Sequence, residues 1–312
     1  MEISHFAPVL IPTLNRFEHF KRCVESLSQC NCAENTDLFI FLDYPLKEIE
    51  WEGYNQIEAY IKSINGFKIV NIIKRTKNFG AMKNYEEGMS EIFESFDRVI
   101  YTEDDNEFSP NFLEYINKGL DKFENYENVL SICGHRPIIN IPKEYKFNYY
   151  YAKGFSAWGF GIWKEQYKKF NYSTKDLITY LRHKKYKKKL KFYHEDFYYT
   201  VLNKIRNNSF LYGDGAIALD LIKTDQYCIY PTISKVRNYG HDGSGVHGGN
   251  KLQDFCVNQE IDYEKAFDFD DDVPYVDYKI EKALRNYSKV SSIRKIKFFI
   301  KKLINKIIYK EL

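Results

Sequence analysis

The chain has 312 residues and a formal net charge of +3, and 44% of its residues are hydrophobic and 29% charged. This balance is ordinary for a globular protein with a large core, and the small net charge argues against binding of nucleic acid by electrostatics alone. The sequence has no apolar run of membrane-span length, no signal-peptide pattern and no paired Cys-x-x-Cys spacing, so we expect an unprocessed cytoplasmic protein with reduced thiols.

The first half of the chain alternates apolar runs with segments of helical periodicity. Runs typical of buried strands occur at residues 7–12, 38–42, 68–73 and 98–102, with helix-like segments between them. This order predicts an α/β protein with a mainly parallel sheet and helices on both faces. Ligands of such sheets bind beyond the carboxyl ends of the strands, which is where the polar clusters of this sequence fall.

Three consecutive acids, Glu103, Asp104 and Asp105, follow the fourth predicted strand. Like charges repel one another, so a cation, backbone donors or water must compensate them. Mg²⁺ or Mn²⁺ does so by binding one or two carboxylates together with diphosphate oxygens. The alternative is an acidic turn before a helix, with Ser109 as N-cap and Pro110 in the first helical position.

The segment from Ile100 to Tyr115 closely resembles the acidic metal motif of the N-acetylglucosaminyltransferase I family and of related family-2-like bacterial sugar transferases. The resemblance implies a GT-A fold, in which a Rossmann-like, mainly parallel sheet is flanked by helices. It also implies that Asp105 binds Mn²⁺ or Mg²⁺ and that Glu103 and Asp104 contact the donor sugar or ribose.

Three earlier loops agree with this resemblance in order and spacing. The segment from Val9 to Arg16 is similar to the family's first nucleotide loop, Asp43 to its second-strand acid, and the segment from Arg75 to Asn84 to its third loop. Plain turn chemistry is the alternative for the Asn and Gly of the third loop. The donor-binding residues that these loops imply are Pro12, Thr13, Asn15, Arg16, Asp43, Arg75, Asn78, Gly80 and Asn84.

The second half of the chain is rich in aromatic residues and resembles the acceptor half of such transferases. The segment from Gly154 to Lys164 is similar to their Trp-Gly-x-x-x-Trp segment, which implies that Trp158 and Gly159 border the donor sugar and acceptor. The small residues would let the backbone approach a ligand closely. A buried turn packed by two tryptophans is the alternative.

An inverting transferase needs a carboxylate that takes a proton from the acceptor hydroxyl. Asp214 is our first candidate, because its separation from the strand-like segment 228–234 is similar to the family's spacing between base and strand. Glu195 and Asp196 follow His194 and are the second candidates. They could equally form a charged face after a lysine-rich stretch.

The segment from Asn238 to Gly249 is too rich in glycine for regular structure. In similar transferases the corresponding loop closes over the donor, which implies that Ser244 and His247 contact the donor and that His247 is a second candidate metal ligand. A lid of this kind excludes water and so limits donor hydrolysis. A flexible connector is the alternative.

Residues 291–312 form a basic segment with isoleucine and leucine residues at helical spacing. A basic amphipathic helix suits the anionic inner face of the cytoplasmic membrane, where lipid-linked acceptors would be found. Docking on the catalytic domain or on a second subunit is the alternative.

These observations predict a catalytic domain at 1–250, divided into a nucleotide-sugar half at 1–125 and an acceptor half with the lid at 126–250. A C-terminal extension at 251–290 and the basic helix at 291–312 follow. The expected activity is inverting transfer from a UDP-linked sugar donor to a glycan or lipid-linked acceptor of a bacterial surface polysaccharide, without a role for nucleic acid. A carbohydrate-binding or scaffolding protein is an alternative. A sugar nucleotidyltransferase is disfavoured because its glycine- and lysine-rich first loop is absent.

Overall fold

The computed structural model describes residues 2–169, 179, 181–206, 214–245, 254–271, 274–298 and 300. The strands are β1 (Val9–Thr13), β2 (Asp37–Leu42), β3 (Ile69–Lys74), β4 (Arg98–Tyr101), β5 (Asn106–Phe108), β6 (Val129–Cys133), β7 (Tyr149–Ala152), β8 (Phe160–Trp163), β9 (Tyr227–Pro231) and β10 (Val236–Asn238). The helices are α1 (Phe17–Ser28), α2 (Trp51–Tyr60), α3 (Gly80–Ser95), α4 (Phe112–Phe123), α5 (Lys164–Tyr167), α6 (Lys184–Tyr193), α7 (Glu195–Arg206), α8 (Asp214–Thr224), α9 (Asp254–Val257) and α10 (Tyr278–Tyr287). Residues 292–298 and residue 300 are also helical and are called the tail helix below. Among the described helices, none has the length and apolar character needed to cross a membrane.

Eight strands form one sheet in the order β3-β2-β1-β4-β8-β6-β9-β7. Strands β3, β2, β1 and β4 are mutually parallel, and β9 is parallel to β6, whereas β8 is antiparallel to both of its neighbours and β7 is antiparallel to β9. The carboxyl ends of six strands therefore share one edge, which we call the carboxyl edge. The predicted α/β fold with a mainly parallel sheet is confirmed.

The sheet is covered on both faces because the central strands are apolar on both sides. In β1, Val9 and Ile11 belong to one hydrophobic cluster, and Leu10 belongs to a second cluster on the opposite face. Helix α1 packs on the first cluster through Phe20, Cys23, Val24 and Leu27, which recur at helical spacing and are buried. Burial of each such large apolar side chain stabilises the fold by about 1.5–3 kcal/mol.

The acidic segment is not a simple turn before the next helix, which was the alternative to a metal site. Residues Asn106–Phe108 form β5, which pairs with β10 in a separate two-stranded antiparallel sheet. Helix α4 begins at Phe112 with Asn111 as its N-cap, so Ser109 and Pro110 lie before the helix. The acids are thus held at the carboxyl edge by strands on both sides of them.

The residues after the glycine-rich loop pack back onto the first half of the chain. Phe267 and Phe269 contact the ring of Tyr115 in α4, at centroid distances of 4.9 and 5.2 Å. Lys118 Nζ donates to the carbonyl oxygen of Phe267 at 2.8 Å. Ile280 of α10 is buried in the hydrophobic cluster on the opposite face of the sheet. Phe267, Phe269 and Ile280 therefore help to cover the two faces of the sheet.

Candidate functional site

Several of the polar segments singled out in the sequence meet at the carboxyl edge. The end of β1 contributes Thr13, the loop after it contributes Arg16, and the segment after β4 contributes Asp104 and Asp105. These loops are neighbours because β1 and β4 pair directly, with Val9 opposite Ile100. The sheet topology thus brings together residues about ninety positions apart.

Asp104 and Asp105 are buried and share one cation, the guanidinium of Arg16. Arg16 Nη2 pairs with Asp104 Oδ1, and Arg16 Nη1 lies 2.8 Å from Asp105 Oδ2. The hydroxyl of Thr13 donates to Asp104 Oδ2 at 2.7 Å. Burial raises the pKa of Asp104 and the charge of Asp105 adds to that effect, although Arg16 and Thr13 oppose it. Arg16 thus supplies compensating charge that the sequence argument required.

The opposite side of Asp105 is held by the end of β10 and the residues that follow it. Asn238 Nδ2 donates to Asp105 Oδ1 at 2.7 Å, and the amide of Tyr239 donates to the carbonyl oxygen of Asp105 at 2.9 Å. A Cβ added at Gly240 would lie only 2.1 Å from Asp105 Oδ2, so this position needs a glycine while Asp105 keeps its place. Sequence spacing gave no sign that Asn238 contacts a residue 133 positions away.

The glycine-rich loop continues from this contact onto α1. Asp242 Oδ2 and His19 Nε2 share a hydrogen bond of 2.8 Å, and the amide and hydroxyl of Ser244 both donate to Asp242 Oδ1, at 2.9 and 2.6 Å. Burial raises the pKa of Asp242. The hydrogen bonds from Ser244 and the contact with His19 outweigh burial and hold this pKa far below its usual range. The loop up to residue 245 therefore lies against the acid cluster, whereas His247, Gly248 and Gly249 lie outside the described residues.

The predicted tryptophan segment reaches the same loop. The ring of Trp158 lies edge-on to His241 at 5.4 Å and to His135 at 4.6 Å. Gly159 has a φ of +74°, and a Cβ there would lie 2.9 Å from Val236 of β10. Burial lowers the pKa of His135 to about 4, so its ring is neutral near pH 7. Trp158 is consequently a neighbour of the loop that holds Asp105.

Asp43 joins the loops that follow β2 and β3. Its Oδ1 accepts from the amides of Tyr44 and Phe79 at 2.9 and 2.8 Å, and its Oδ2 accepts from the amide of Gly80 at 2.8 Å. Asn78 Nδ2 adds a bond of 2.6 Å to the carbonyl oxygen of Tyr44. The carboxylate of Asp43 thus fixes the start of α3, a role that its position in the sequence did not reveal.

Arg75 is committed mostly to protein partners. Its Nε donates to Asn84 Oδ1 at 2.9 Å, its Nη1 donates to Glu91 Oε1 at 2.6 Å, and its guanidinium lies over the rings of Phe41 and Phe79. Arg75 Nη2 is buried without a hydrogen-bond partner in the described part of the chain. Arg75 Nη2 is therefore available to donate a hydrogen bond to a ligand.

The acid cluster fits a divalent ion that enters together with a diphosphate. No group of three His, Cys, Asp or Glu side chains among the described residues could hold a metal by itself. A hard cation in a diphosphate site needs one or two carboxylates, and phosphate oxygens and water complete its shell. Asp105 Oδ2 already holds the cationic Arg16. Arg16 and a metal ion would therefore compete for the same oxygen.

A cavity of about 280 Å³ lies between the segment after β7 and helices α7, α8 and α10. Asp196, Gly215 and several tyrosines line it. A Cβ added at Gly215 would lie 2.1 Å from the ring of Phe197, so the first turns of α7 and α8 touch one another. The structure describes Asp214 as the first residue of α8 but does not describe its side chain.

The two acids at the start of α7 differ in their surroundings. Glu195 Oε2 lies 2.9 Å from Lys295 Nζ and accepts from the amide of Val290 at 3.1 Å, which ties Glu195 to the C-terminal region. Asp196 lines the cavity, and its Oδ1 accepts from the amide of Phe197 at 2.7 Å. Asp196 is therefore the better placed of this pair to meet a ligand in the cavity.

Comparison with known proteins identifies a family over more than half of the chain. Residues 9–185 match the model of the family described as "Glycosyl transferase family 2". A search of curated proteins finds no match.

Several solved glycosyltransferases resemble the chain at low identity. A mannosyltransferase from Pyrobaculum calidifontis, solved with GDP-Man and Mn²⁺, is 10% identical with a TM-score of 0.39, over 55% of this chain and 48% of that one. Residues 1–349 of TarS from S. aureus, solved with UDP-GlcNAc, are 12% identical with a TM-score of 0.34, over 46% of this chain and 39% of that one. The glycosyltransferase GlyE from Streptococcus pneumoniae TIGR4 is 13% identical with a TM-score of 0.37, over 96% of this chain and 64% of that one. The chain thus spans less than half the length of the first two structures.

Proposed function

Since the chain belongs to glycosyl transferase family 2, we propose that it is a glycosyltransferase that transfers a sugar with inversion from a UDP-linked donor to a glycan or lipid-linked acceptor. The proposed setting is the synthesis of a bacterial surface polysaccharide. The observation that carries the proposal is the buried pair Asp104 and Asp105, which holds the cationic Arg16 at the carboxyl edge of the sheet. In open α/β sheets this edge is where ligands bind.

Arg16 would bind the donor diphosphate. A guanidinium pairs with phosphate oxygens as well as with carboxylates, so Arg16 could exchange a carboxylate partner for the diphosphate. That exchange would free Asp105 Oδ2. Bound Mn²⁺ or Mg²⁺ would supply positive charge to the departing nucleotide diphosphate. We propose Asp105 as its ligand and His247 as a second candidate ligand, with Glu103 and Asp104 contacting the donor sugar or ribose.

The surrounding loops would position the rest of the donor. Trp158 lies beside His241, in the same loop as Ser244, so closure of this loop would exclude water from the sugar. The buried Nη2 of Arg75 would donate a hydrogen bond to an oxygen of the bound nucleotide sugar. The remaining proposed donor contacts are Pro12, Thr13, Asn15, Asp43, Asn78, Gly80, Asn84 and Gly159.

The acceptor hydroxyl would lose its proton to a carboxylate at the start of α7 or α8. As its oxygen attacks the anomeric carbon from the face opposite the phosphate, the carboxylate takes the proton, and the nucleotide diphosphate leaves with the bonding electrons. Asp214 remains the first candidate base and Asp196 the second. The first turns of α7 and α8 meet at one end of the cavity, where Phe197 contacts Gly215, so both candidates belong to the same end of it.

Calorimetry and thermal unfolding with a panel of nucleotide sugars would test the proposal. A bound donor stabilises the folded chain by mass action, by about 2.7 kcal/mol at one hundred times its Kd. We expect one donor to raise the melting temperature only when Mn²⁺ or Mg²⁺ is present, and Asp105→Asn to abolish that rise. Asp97→Asn is the matched control, because Asp97 is 75% exposed and precedes β4 at the opposite edge.

Two results would contradict the proposal. Donor stabilisation that persists without a divalent ion, or in Asp105→Asn, would remove the metal from the mechanism. Donor binding without transfer or donor hydrolysis would instead indicate a carbohydrate-binding or scaffolding protein.

We also propose that the chain works on the inner face of the cytoplasmic membrane and that residues 291–312 hold it there. The described part of this segment supports the proposal, because the tail helix leaves three isoleucines exposed: Ile293, Ile296 and Ile300. Such residues beside lysines are typical of helices that lie in a membrane interface.

A further inference from the structure

Helix α6 carries a dense set of exposed lysines. Residues 181–194 include six lysines and one arginine but no acidic residue. Leu190 is buried against the neighbouring helices, and this contact holds α6 with its other side toward solvent. The exposed residues on that side are Lys184, Lys185, Lys187, Lys188, Lys191 and Phe192.

The tail helix is oriented with its isoleucines away from the rest of the described chain. Phe298 packs on Tyr199 at a centroid distance of 4.9 Å, and Lys295 pairs with Glu195 at 2.9 Å. Ile293, Ile296 and Ile300 lie on another side of the helix at spacings of three and four, and 68, 58 and 50% of their surface is exposed. Each exposed isoleucine is ordinary alone, but three on one face form a stripe that is unusual on a solvated surface.

The residues that lead into the tail helix lie beside the end of α6. Ser288 Oγ donates to the carbonyl oxygen of Tyr193 at 3.2 Å, and the amide of Val290 donates to Glu195 Oε2 at 3.1 Å. Arg285 lies over the ring of Phe192, with its guanidinium carbon 4.3 Å from the ring centroid. These contacts join the two basic segments at the junction between α6 and α7.

We infer that α6 and the tail helix together form one docking surface for an anionic lipid membrane, which we call the basic surface. The lysines of α6 meet the lipid headgroups, while Phe192 and the isoleucine stripe enter the interface between headgroups and acyl chains. One weak membrane contact is readily reversible, so a basic cluster combined with an apolar stripe gives firmer attachment than either alone. The inference rests on the proposed membrane location but not on the proposed transfer reaction.

The chemistry of the basic surface favours lipid over nucleic acid. A nucleic acid would use the cations of α6 but would gain little from exposed aliphatic side chains. A membrane uses both, because burial of each isoleucine in the interface removes apolar surface from water. The net charge of +3 for the whole chain is small, so binding to anionic lipid must come from local clusters.

Sedimentation of the intact chain with lipid vesicles tests the inference. We compare phosphatidylcholine vesicles with vesicles that also contain about 30% phosphatidylglycerol, with and without salt that screens exposed charges beyond about 10 Å. The wild-type chain should bind the anionic vesicles more tightly, and added salt should weaken binding. The variant K184Q/K185Q/K187Q/K188Q should lower the partition coefficient roughly tenfold or more. Glutamine and lysine have similar helix propensities, so α6 should stay folded.

A charge-matched variant controls for net charge. K47Q/K62Q/K143Q/K146Q removes the same number of exposed lysines from outside the basic surface and should bind like the wild type. A second variant, I293Q/I296Q/I300Q, should lose binding while keeping the lysines of α6. Donor-induced stabilisation should be unchanged in all three variants, so a failure here is distinguishable from a failure of the proposed reaction.

Three outcomes would overturn the inference. If the α6 variant has the same partition coefficient as the wild type, the tail helix alone accounts for membrane binding. Equal losses in the α6 variant and the charge-matched variant would mean that net charge alone drives binding. Tighter binding of a single-stranded RNA oligonucleotide than of anionic vesicles would identify the basic surface as a nucleic-acid site.

Discussion

Gly240→Ala is expected to separate the glycine-rich loop from the acid cluster. The added Cβ would lie 2.1 Å from Asp105 Oδ2, well inside van der Waals contact. Asp105 cannot rotate away freely, because Arg16 lies 2.8 Å from the same oxygen and Asn238 donates to the other one at 2.7 Å. Either the carboxylate turns and breaks these contacts, or the loop lifts and breaks the bonds from Asn238 and Tyr239.

If the loop lifts, two hydrogen bonds to Asp105 are lost. The bond from the Tyr239 amide to a neutral carbonyl oxygen contributes about 1 kcal/mol, and the bond from Asn238 to the charged carboxylate contributes about 1.5–3 kcal/mol. Strain in a well-packed region adds about 1–3 kcal/mol if the loop lifts only partly. We therefore expect the free energy of unfolding to fall by about 2–4 kcal/mol, which is a large share of the stability of an ordinary domain.

Urea unfolding followed by circular dichroism, with and without the donor and Mn²⁺, measures this effect. Gly154→Ala is the matched control, because a Cβ there would meet its nearest neighbour at 3.5 Å, an ordinary contact. That variant should change stability by less than about 1 kcal/mol. If Gly240→Ala unfolds at the wild-type urea concentration and binds donor normally, the close approach to Asp105 does not constrain the loop.

Three further changes test other parts of the site. Arg16→Gln should raise the affinity for Mn²⁺ without donor, because Asp105 Oδ2 loses its competing cation; calorimetry that finds equal or weaker Mn²⁺ binding would refute the competition. Asp214→Asn should keep donor binding and lose transfer by at least about a hundredfold, whereas Asp196→Asn should lose less; the reverse order of the two rates would make Asp196 the base. Burial lowers the folded-state pKa of His135 from 6.5 to about 4, so the unfolded chain binds more protons between these values. Stability should therefore fall as pH drops from 7 to 4, by up to about 3 kcal/mol from this group, and His135→Gln should flatten that part of a pH series of urea midpoints.

Much of the first half of the fold was predictable because its signals are local. Apolar runs marked β1, β2, β3 and β4, and parallel pairing follows when a helix separates each strand from the next. The position of β8 was not predictable in this way. Its residues Phe160–Trp163 lie between β4 and β6 and run antiparallel to both, a pairing that hydrophobic periodicity does not encode.

The candidate site was predictable in its location but not in its internal contacts. The family is confirmed at the level of glycosyl transferase family 2, whereas the more specific resemblance to the N-acetylglucosaminyltransferase I family stays a prediction. Spacing marked Asp43 as a site residue, but it could not reveal that backbone amides occupy both of its oxygens. Spacing also gave no partner for Asn238, because its contact with Asp105 depends on the pairing of β5 with β10.

These contacts connect the acid cluster to the glycine-rich loop. Arg16 and Asn238 both bind Asp105, and Gly240 lies against the same carboxylate. A diphosphate that draws Arg16 away removes one of these contacts and changes the surface on which the loop rests. Donor binding and loop position should therefore be linked, and by reciprocity a change that lifts the loop must alter donor affinity. The same linkage makes Gly240→Ala informative about donor binding as well as stability, since its added methyl group acts on the loop and on Asp105 at one point.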